Sequence, residues 1–299
     1  MNKLEALIEQ YCPEGIEFKD LREVAKISNG KDHKYLEAGN YPVYGSGGIM
    51  RYVNQFIYNV ESVLIPRKGS IGNIFYVSEP FWTVDTIFYT KIDRRSITPK
   101  FLYYYLKTLD LTELNFAGGV PSLTKTILDR ISIPIPPLPV QEEIVNILDK
   151  FTSLEAELEA ELEARKTQYE FYRNQLLNFE GKEMEWKNLG EIGRVCMCKR
   201  VMKNETTAIG EIPFYKIGTF GGHPDAYISL SLYENYRTNF SFPKKGDILI
   251  SASGTIGRTV IYDGTPAYFQ DSNIVWVDNN EKVVSNKFLF HFYKIVKWK

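Results

Sequence analysis

Cysteine and histidine are both scarce, with three of each among 299 residues. Cys12 stands alone and Cys196-Met197-Cys198 has no second pair to complete a four-ligand zinc site, so reduced, unliganded thiols are expected rather than a metal centre. His33, His223 and His291 are scattered without metal-ligand spacing and read as ordinary surface or core histidines. No run reaches the roughly 18 apolar residues of a membrane span. Met1-Asn2-Lys3-Leu4-Glu5 opens no signal peptide, so a cytoplasmic location is expected. Catalytic signatures are missing as well. There is no Gly-x-x-x-x-Gly-Lys-Ser/Thr nucleotide loop. There is no Asn/Asp-Pro-Pro-Phe/Tyr motif of an adenine methyltransferase, and no carboxylate-x-Lys follows Pro224-Asp225 to make a nuclease. The expectation is a non-catalytic chain with no cofactor and no metal.

What the sequence does contain, it contains twice. Glu17-Phe18-Lys19-Asp20-Leu21-Arg22-Glu23-Val24 returns as Glu185-Trp186-Lys187-Asn188-Leu189-Gly190-Glu191-Ile192. Tyr41-Pro42-Val43-Tyr44 returns as Ile212-Pro213-Phe214-Tyr215, and Lys100-Phe101-Leu102-Tyr103 as Lys287-Phe288-Leu289-Phe290. The run from Val63 to Gly72, with Arg67-Lys68-Gly69-Ser70-Ile71-Gly72, matches Ile248 to Gly257, with Ala252-Ser253-Gly254-Thr255-Ile256-Gly257. The offset drifts from 168 to 187, as small insertions in a duplicated domain produce. A period of that length marks a tandem pair of whole domains and not a solenoid.

The net charge of −1 conceals a division. Residues 1–140 hold 16 basic and 15 acidic side chains, residues 141–180 hold 4 and 10, and residues 181–299 hold 16 and 12. An acidic middle therefore separates two mildly basic ends. Contact with phosphates exchanges counterions for Lys and Arg, so the ends are the candidates for nucleic acid and the middle faces protein.

Short apolar runs between Gly, Pro, Asn and Ser turns give residues 35–92 a β character, and 20 Tyr with 18 Phe suit β-rich domains. Leu4, Leu7, Ile8 and Tyr11 predict a short helix stopped by Pro13, and Lys100 to Leu109 predicts another. Ile131 to Pro136 reads as an edge strand. A long helix then starts at Pro137-Leu138-Pro139 and runs to Gly181, with carboxylates near its positive end. It carries the tetrapeptide repeat Leu154-Glu155-Ala156-Glu157, Leu158-Glu159-Ala160-Glu161, Leu162-Glu163-Ala164-Arg165. Ile144, Leu148, Phe151, Leu154, Leu158, Leu162, Tyr172 and Leu176 form an apolar stripe that calls for a partner helix. The fold class is α+β: a β-rich domain over 1–138, a coiled-coil type spacer over 139–180, and a second β-rich domain over 181–299.

A β-rich reader, a Pro-Pro-Leu-Pro-x-Gln-Glu-Glu-Ile helix start, a tetrapeptide-repeat spacer and a second reader together resemble the specificity subunit of type I restriction-modification systems. Cys12-Pro13-Glu14-Gly15-Ile16-Glu17-Phe18-Lys19-Asp20-Leu21 is similar to that family's N-terminal entry, and the resemblance spans nearly the whole chain. It implies two target recognition domains, each reading half of a split double-stranded DNA site. It also implies spacer helices that set the gap and dock methyltransferase (modification) subunits and, through them, the restriction/translocase subunit. The chain departs from the pattern after the Phe288–Val296 segment. There the family's closing strand and second spacer helix do not follow, so the expectation is a truncated allele or a second polypeptide that supplies them. Antiparallel pairing of the spacer with a second copy, or with a complementing fragment, would cover the stripe. The reading from a different class is a β-domain interaction scaffold dimerised through a coiled coil, without nucleic acid.

If the copies read different half-sites, residues shared by both cannot carry the difference. Gly69 and Gly72, with Gly254 and Gly257, read either as turns whose free N–H groups approach phosphate, helped by Ser70 or Thr255, or as structural turns requiring positive φ. Positions that differ are base-reading candidates: Arg67-Lys68 against Ala252-Ser253, and Asn73 against Arg258. Lys31, His33, Lys34 and Ser46 join them in the first copy, and Lys199, Arg200 and Lys216 in the second. For any one of these a solvated surface charge is the competing reading. Tyr103-Tyr104-Tyr105 reads as helix packing or as a base-stacking platform.

Overall fold

The computed structural model describes residues 2–114 and 122–298, and its contacts divide into two compact units, Met1–Ala160 and Glu161–Lys299.

The first unit opens with α1 (Lys3–Tyr11), capped by Asn2, whose side chain accepts from Glu5 N–H while Glu5 accepts from Asn2 N–H. It continues through β1 (Phe18–Asp20), α2 (Leu21–Val24), β2 (Ala25–Asn29), β3 (Ala38–Gly45), β4 (Gly48–Val53), β5 (Ser62–Pro66), β6 (Phe75–Val77), β7 (Trp82–Thr83) and β8 (Ile87–Ile92). Then come α3 (Pro99–Thr108), α4 (Lys125–Leu128), β9 (Ser132–Pro134) and α5 (Leu138–Leu176), whose 39 residues cross the division between the units. Gly118 and Gly119, which the sequence suggests as a loop after α3, lie outside the described residues. Three sheets result: an antiparallel β2-β8-β5-β6 sheet, a β4-β3-β7 sheet in which β3 and β7 run parallel, and the antiparallel pair β1-β9.

The second unit runs α6 (Leu189–Ile192), β10 (Gly193–Met197), β11 (Ile212–Tyr215), β12 (Tyr227–Ile228), α7 (Leu230–Asn239), β13 (Ile248–Ser251), β14 (Thr259–Ile261), β15 (Tyr268–Phe269), β16 (Ile274–Asn279) and α8 (Asn286–Tyr293). Its sheets are β10-β16-β13-β14 and β12-β11-β15. Strand for strand, β10 to β16 follow the order of β2 to β8, down to register, while α7 is an addition with no counterpart between β4 and β5. Leu64 faces Tyr89 as Leu249 faces Trp276, and Tyr44 lies beside Thr83 as Tyr215 lies beside Phe269. The short helices α2 and α6 are closed by matching capping boxes, Asp20 with Glu23 and Asn188 with Glu191. The duplication read in the sequence is thus a duplication of topology.

The first core gathers Leu21, Val63, Ile65, Ile71, Phe101, Leu102, Leu106, Leu123, Leu128 and Ile133 between sheet and helices. The matching sandwich of the second unit is built from Ile192, Ile248, Ile250, Val277, Leu289 and Tyr293. Ser62 and Thr90 are buried in the first sheet at no cost in unpaired groups. The Ser62 hydroxyl donates to Thr90 O at 2.7 Å, and the Thr90 hydroxyl donates to Val63 O at 2.9 Å.

Three sequence expectations shift. The long helix stops at Leu176, and Gly181, at φ +72°, sits beyond it instead of ending it. Glu142 and Glu143 fall in its second turn, where Glu143 pairs with Lys3. Among the stripe residues, Ile144 and Leu148 are half-buried, and Ile144 packs on the first unit's own core, so it does not face a partner. Phe151, Leu154, Leu158, Leu162, Tyr172 and Leu176 are 51–71 % exposed. Phe171, which the spacing did not select, stands exposed among them.

Candidate nucleic-acid interface

In the first unit the backbone draws four loops to one end of the sheets. Val84 N–H donates to Tyr44 O at 3.0 Å, Lys31 N–H to Thr83 O at 2.8 Å, and Arg67 N–H to Thr86 O at 2.9 Å. Between them opens a cleft of about 720 Å³ that includes His33, Lys34, Ser46, Ile49, Met50 and Asp85 in its wall. The Asn73 amide reaches Ser46 O at 3.4 Å, so the glycine turn borders the same cleft. Lys31, His33, Lys34, Ser46, Gly69 and Asn73 are thereby brought together, with Lys68 and Ser70 exposed on the turn. Arg67 behaves differently. Its guanidinium lies 5.2 Å from the centre of the Phe88 ring, and its buried Nε has no hydrogen-bond partner among the described residues. The side chain is committed inward at its base, which a base-reading assignment did not anticipate.

The second unit repeats the frame. Gln270 N–H donates to Tyr215 O at 3.0 Å, as Val84 N–H does to Tyr44 O. Its basic candidates are largely tied down. Arg200 pairs with Asp271 at 2.9 Å and Lys216 with Asp225 at 2.8 Å. Arg258 donates from Nη1 to Phe220 O at 2.8 Å, and Lys199 lies 5.1 Å from the Phe240 ring centre. Ser253 donates to Asn273 Oδ1 at 2.6 Å. The acidic partners were missed in the sequence. Asp271, matched to Asp85, reads in the sequence as a scaffold or phosphate-contact candidate and not as a partner of Arg200, and Asp225 lies in a loop with no counterpart.

The two glycine turns share a backbone device. Ile71 N–H donates to Gly69 O at 2.9 Å, and Ile256 N–H to Gly254 O at 3.0 Å. Gly69, Gly254 and Gly257 have φ of +76°, +63° and +87°, which only glycine adopts without strain. Gly72 is not left-handed. The amides of Gly69, Ser70, Gly254 and Thr255 donate to no described residue, and each of these residues is exposed. Unpaired amides on an exposed turn suit an anionic oxygen. The tyrosine run takes structural roles: Tyr104 OH donates to Asp149 at 2.7 Å, Tyr105 OH to Ser132 O at 3.1 Å, and the Tyr103 ring lies 6.1 Å from Tyr76. Also missed were Ile49 and Met50, large exposed apolar side chains on the wall of this cleft, which Asp32 and Asp85 line together with His33 and Lys34. Adjacent in β4, they break the two-residue alternation of a strand, so the sequence carried no signal for them.

Comparison with known proteins agrees with this geometry. The family model described as the type I restriction modification DNA specificity domain matches residues 13–164 and again 181–299. A Haemophilus influenzae protein named as a type I restriction enzyme specificity subunit is 46% identical over 301 residues, covering 95% of this chain and 77% of that protein. A Mycoplasma pneumoniae type I specificity subunit is 27% identical over 292 residues, covering 93% of this chain and 77% of its own length. The fold is similar to the crystal structure of a type I restriction-modification S subunit from M. genitalium, with a TM-score of 0.62 at 17% identity over 94% of this chain and 76% of that one. With one family model matching twice and a relative at 46% identity, this chain belongs to the specificity subunits of type I restriction-modification systems, the family that provides DNA sequence specificity.

Proposed function

We propose that the chain is a non-catalytic reader of a bipartite duplex DNA site. Residues 1–138 read one half-site and residues 181–299 the other. The helical segment 139–180 sets the unspecified gap and docks the methyltransferase subunits, through which the restriction/translocase subunit joins. The observation that carries this reading is the double occurrence of one DNA-specificity domain with the same strand order and the same glycine turn. In each reader the exposed turn amides serve phosphate, which positions without discriminating. Discrimination falls to side chains that differ between the readers, Lys68 and Asn73 in the first and Arg258, Lys199, Arg200 and Lys216 in the second. The ion pairs of Arg200 and Lys216 must open for these residues to contact DNA. The Lys216–Asp225 pair is exposed on both sides and worth below about 1 kcal/mol, so it gives way readily, whereas the largely buried Asp271 holds Arg200 more firmly.

The exposed apolar side chains from Phe151 to Leu176 support an α-helical partner for the spacer, since full burial of each is worth about 1.5 kcal/mol or more. That partner is a second copy in antiparallel pairing or a complementing helix. Light scattering on the purified chain, alone and with modification subunits, is expected to show association, and a monodisperse monomer at micromolar concentration would refute it.

The test of the reading as a whole is a deletion. Removing Leu158-Glu159-Ala160-Glu161 takes out about 6 Å of rise and leaves a rotation of roughly 40°. Sequencing of methylated sites in a host carrying this variant with its modification subunits is expected to give the same half-sites at a shortened gap. An unchanged gap would sink the spacer as ruler.

A further inference from the structure

The start of α5 is joined to the first reader by two sets of polar contacts, one of them fully buried. Gln141 is 0 % exposed. Its Oε1 accepts from Thr98 N–H at 2.8 Å, and its Nε2 donates to Ser96 O at 2.9 Å and to Pro136 O at 2.7 Å. One side chain thus ties together the loop before α3, the loop before α5 and α5 itself. Two turns further on, Asp149 receives Lys100 at 2.6 Å and Tyr104 OH at 2.7 Å, both from α3. The Lys100 ammonium also lies 5.6 Å from the Tyr76 ring centre. Apolar contact would suffice to dock this helix, and Ile144 and Val145 already supply it. Apolar contact alone, however, lets a helix roll and tilt, because it is not directional. Hydrogen bonds with three fixed backbone partners and a two-donor carboxylate do not.

A lever argument says why such stiffness matters. About 24 residues of α5 extend past Thr152, a rod of roughly 36 Å. A tilt of only about 6° at its base moves the far end by about 3.8 Å, close to the ~3.4 Å rise of one base pair. A joint looser than that cannot distinguish one gap length from the next.

We propose that Gln141 and the Lys100–Asp149–Tyr104 cluster are positioning residues that fix the direction and rotational phase of the spacer helix on the first reader, and thereby set how strictly the gap between half-sites is enforced. The proposal rests on the bipartite reading above. The far portion of the helix has no comparable anchorage among the described residues. In the second unit its own Tyr169, an exposed residue, meets the half-buried His291 through its hydroxyl, 2.9 Å from Nδ1, and the exposed Lys294 through its ring.

The experiment uses the full chain in complex with its modification subunits. Methylated-site sequencing with the wild type first gives the target. Binding is then measured on duplexes whose gap is one base pair shorter or longer, and on duplexes with either half-site scrambled. Wild type is expected to prefer its own gap by about tenfold or more, the size of a typical single-position penalty. Gln141→Ala combined with Asp149→Ala should bring that preference within about threefold while keeping discrimination at each half-site. Exchanging the ion pair, Lys100→Asp with Asp149→Lys, should restore strictness relative to Asp149→Ala alone. Variants as strict as a strict wild type overturn the joint alone. Loss of first half-site reading in step with gap preference also overturns it, because the residues then merely hold the domain together. A wild type indifferent to gap length removes the bipartite reading, and the joint with it.

Discussion

The two readers carry the same glycine turn on the same strand order, yet the turn sits in a different energetic setting in each. Ile71 is 1 % exposed and belongs to the first core, whereas its match Ile256 is 46 % exposed. The difference comes from elsewhere in the chain. In the first reader the segment from Ser122 onward folds over the turn. Ser122 bridges to Lys68, Leu123 N–H donates to Arg67 O at 2.8 Å, and Leu123, Leu128, Ile131 and Ile133 enter the same core as Ile71. In the second reader Trp298 covers Gly257 instead, its indole N–H donating to Tyr293 O at 3.0 Å. Likewise β1 pairs with β9, while the matching Trp186–Asn188 segment pairs with no strand among the described residues. The shared glycine fixes the entry of the turn at Gly69 and Gly254, its exit differs between Gly72 and Gly257, and the neighbouring element decides what the turn is worth.

The sharpest way to break this comparison is to truncate the matched isoleucines. Ile71→Ala removes a fully buried side chain and is expected to cost about 2–4 kcal/mol. Ile256→Ala should stay within about 0.5 kcal/mol, as exposed substitutions do. Hydrogen exchange under increasing urea, read separately over each unit, measures both. Equal costs would mean that Ile256 is packed in solution and that the second turn is covered by something else.

The next largest effect separates Arg67 from Lys68. Arg67 stacks on Phe88, so Arg67→Ala is expected to destabilise the first unit by about 1 kcal/mol through the lost cation–ring contact. Lys68 is exposed on the turn, so Lys68→Ser should leave stability alone. It should cost about 1–3 kcal/mol in affinity at one position of the first half-site if it reads a base. A uniform loss across all sequences, with a salt slope shallower by about one, would make Lys68 a phosphate contact. Matched changes at Ala252 and Ser253 should touch only the second half-site.

Much of this architecture was legible beforehand, for local physical reasons. The capping pairs Asp20/Glu23 and Asn188/Glu191, the apolar runs of β5 and β13, and the Thr98-Pro99 and Ser285-Asn286 helix starts are written within a few residues of the elements they make. What stayed hidden depends on partners far along the chain. Arg67 turns inward because Phe88 lies beneath it. Ile144 joins the first core because α5 leans on the sheet domain. Gln141 is buried because Ser96, 45 residues away, offers a carbonyl. In the second reader, Arg200 and Lys216 looked free because their acidic partners lie 71 residues away, at Asp271, and in an unmatched loop, at Asp225. Charge was readable as composition but not as pairing.

The smallest expected effect tests the matched lysines at the helix that follows each sheet. Lys100 pairs with Asp149, whereas Lys287, at the same place in the second reader, has no acidic partner among the described residues. Burial pushes the Asp149 carboxyl upward, but the hydrogen bonds from Lys100 and Tyr104 outweigh it and hold the group below the usual carboxylate range. A carboxylate depressed in the folded state adds stability above its unfolded pKa, and that stability is lost as pH falls through the folded value. Both partners are more than a third exposed, so the pair is worth below about 1 kcal/mol. Asp149→Asn should therefore lower the stability of the first unit slightly at pH 7, and the gap between variant and wild type should close below about pH 4. Lys100→Ala should show the same closing gap, and Lys287→Ala should show no pH-dependent difference at all. A Lys287 variant that loses stability in the same acid window would reveal a carboxylate partner in the second reader, and with it a joint equivalent to the first.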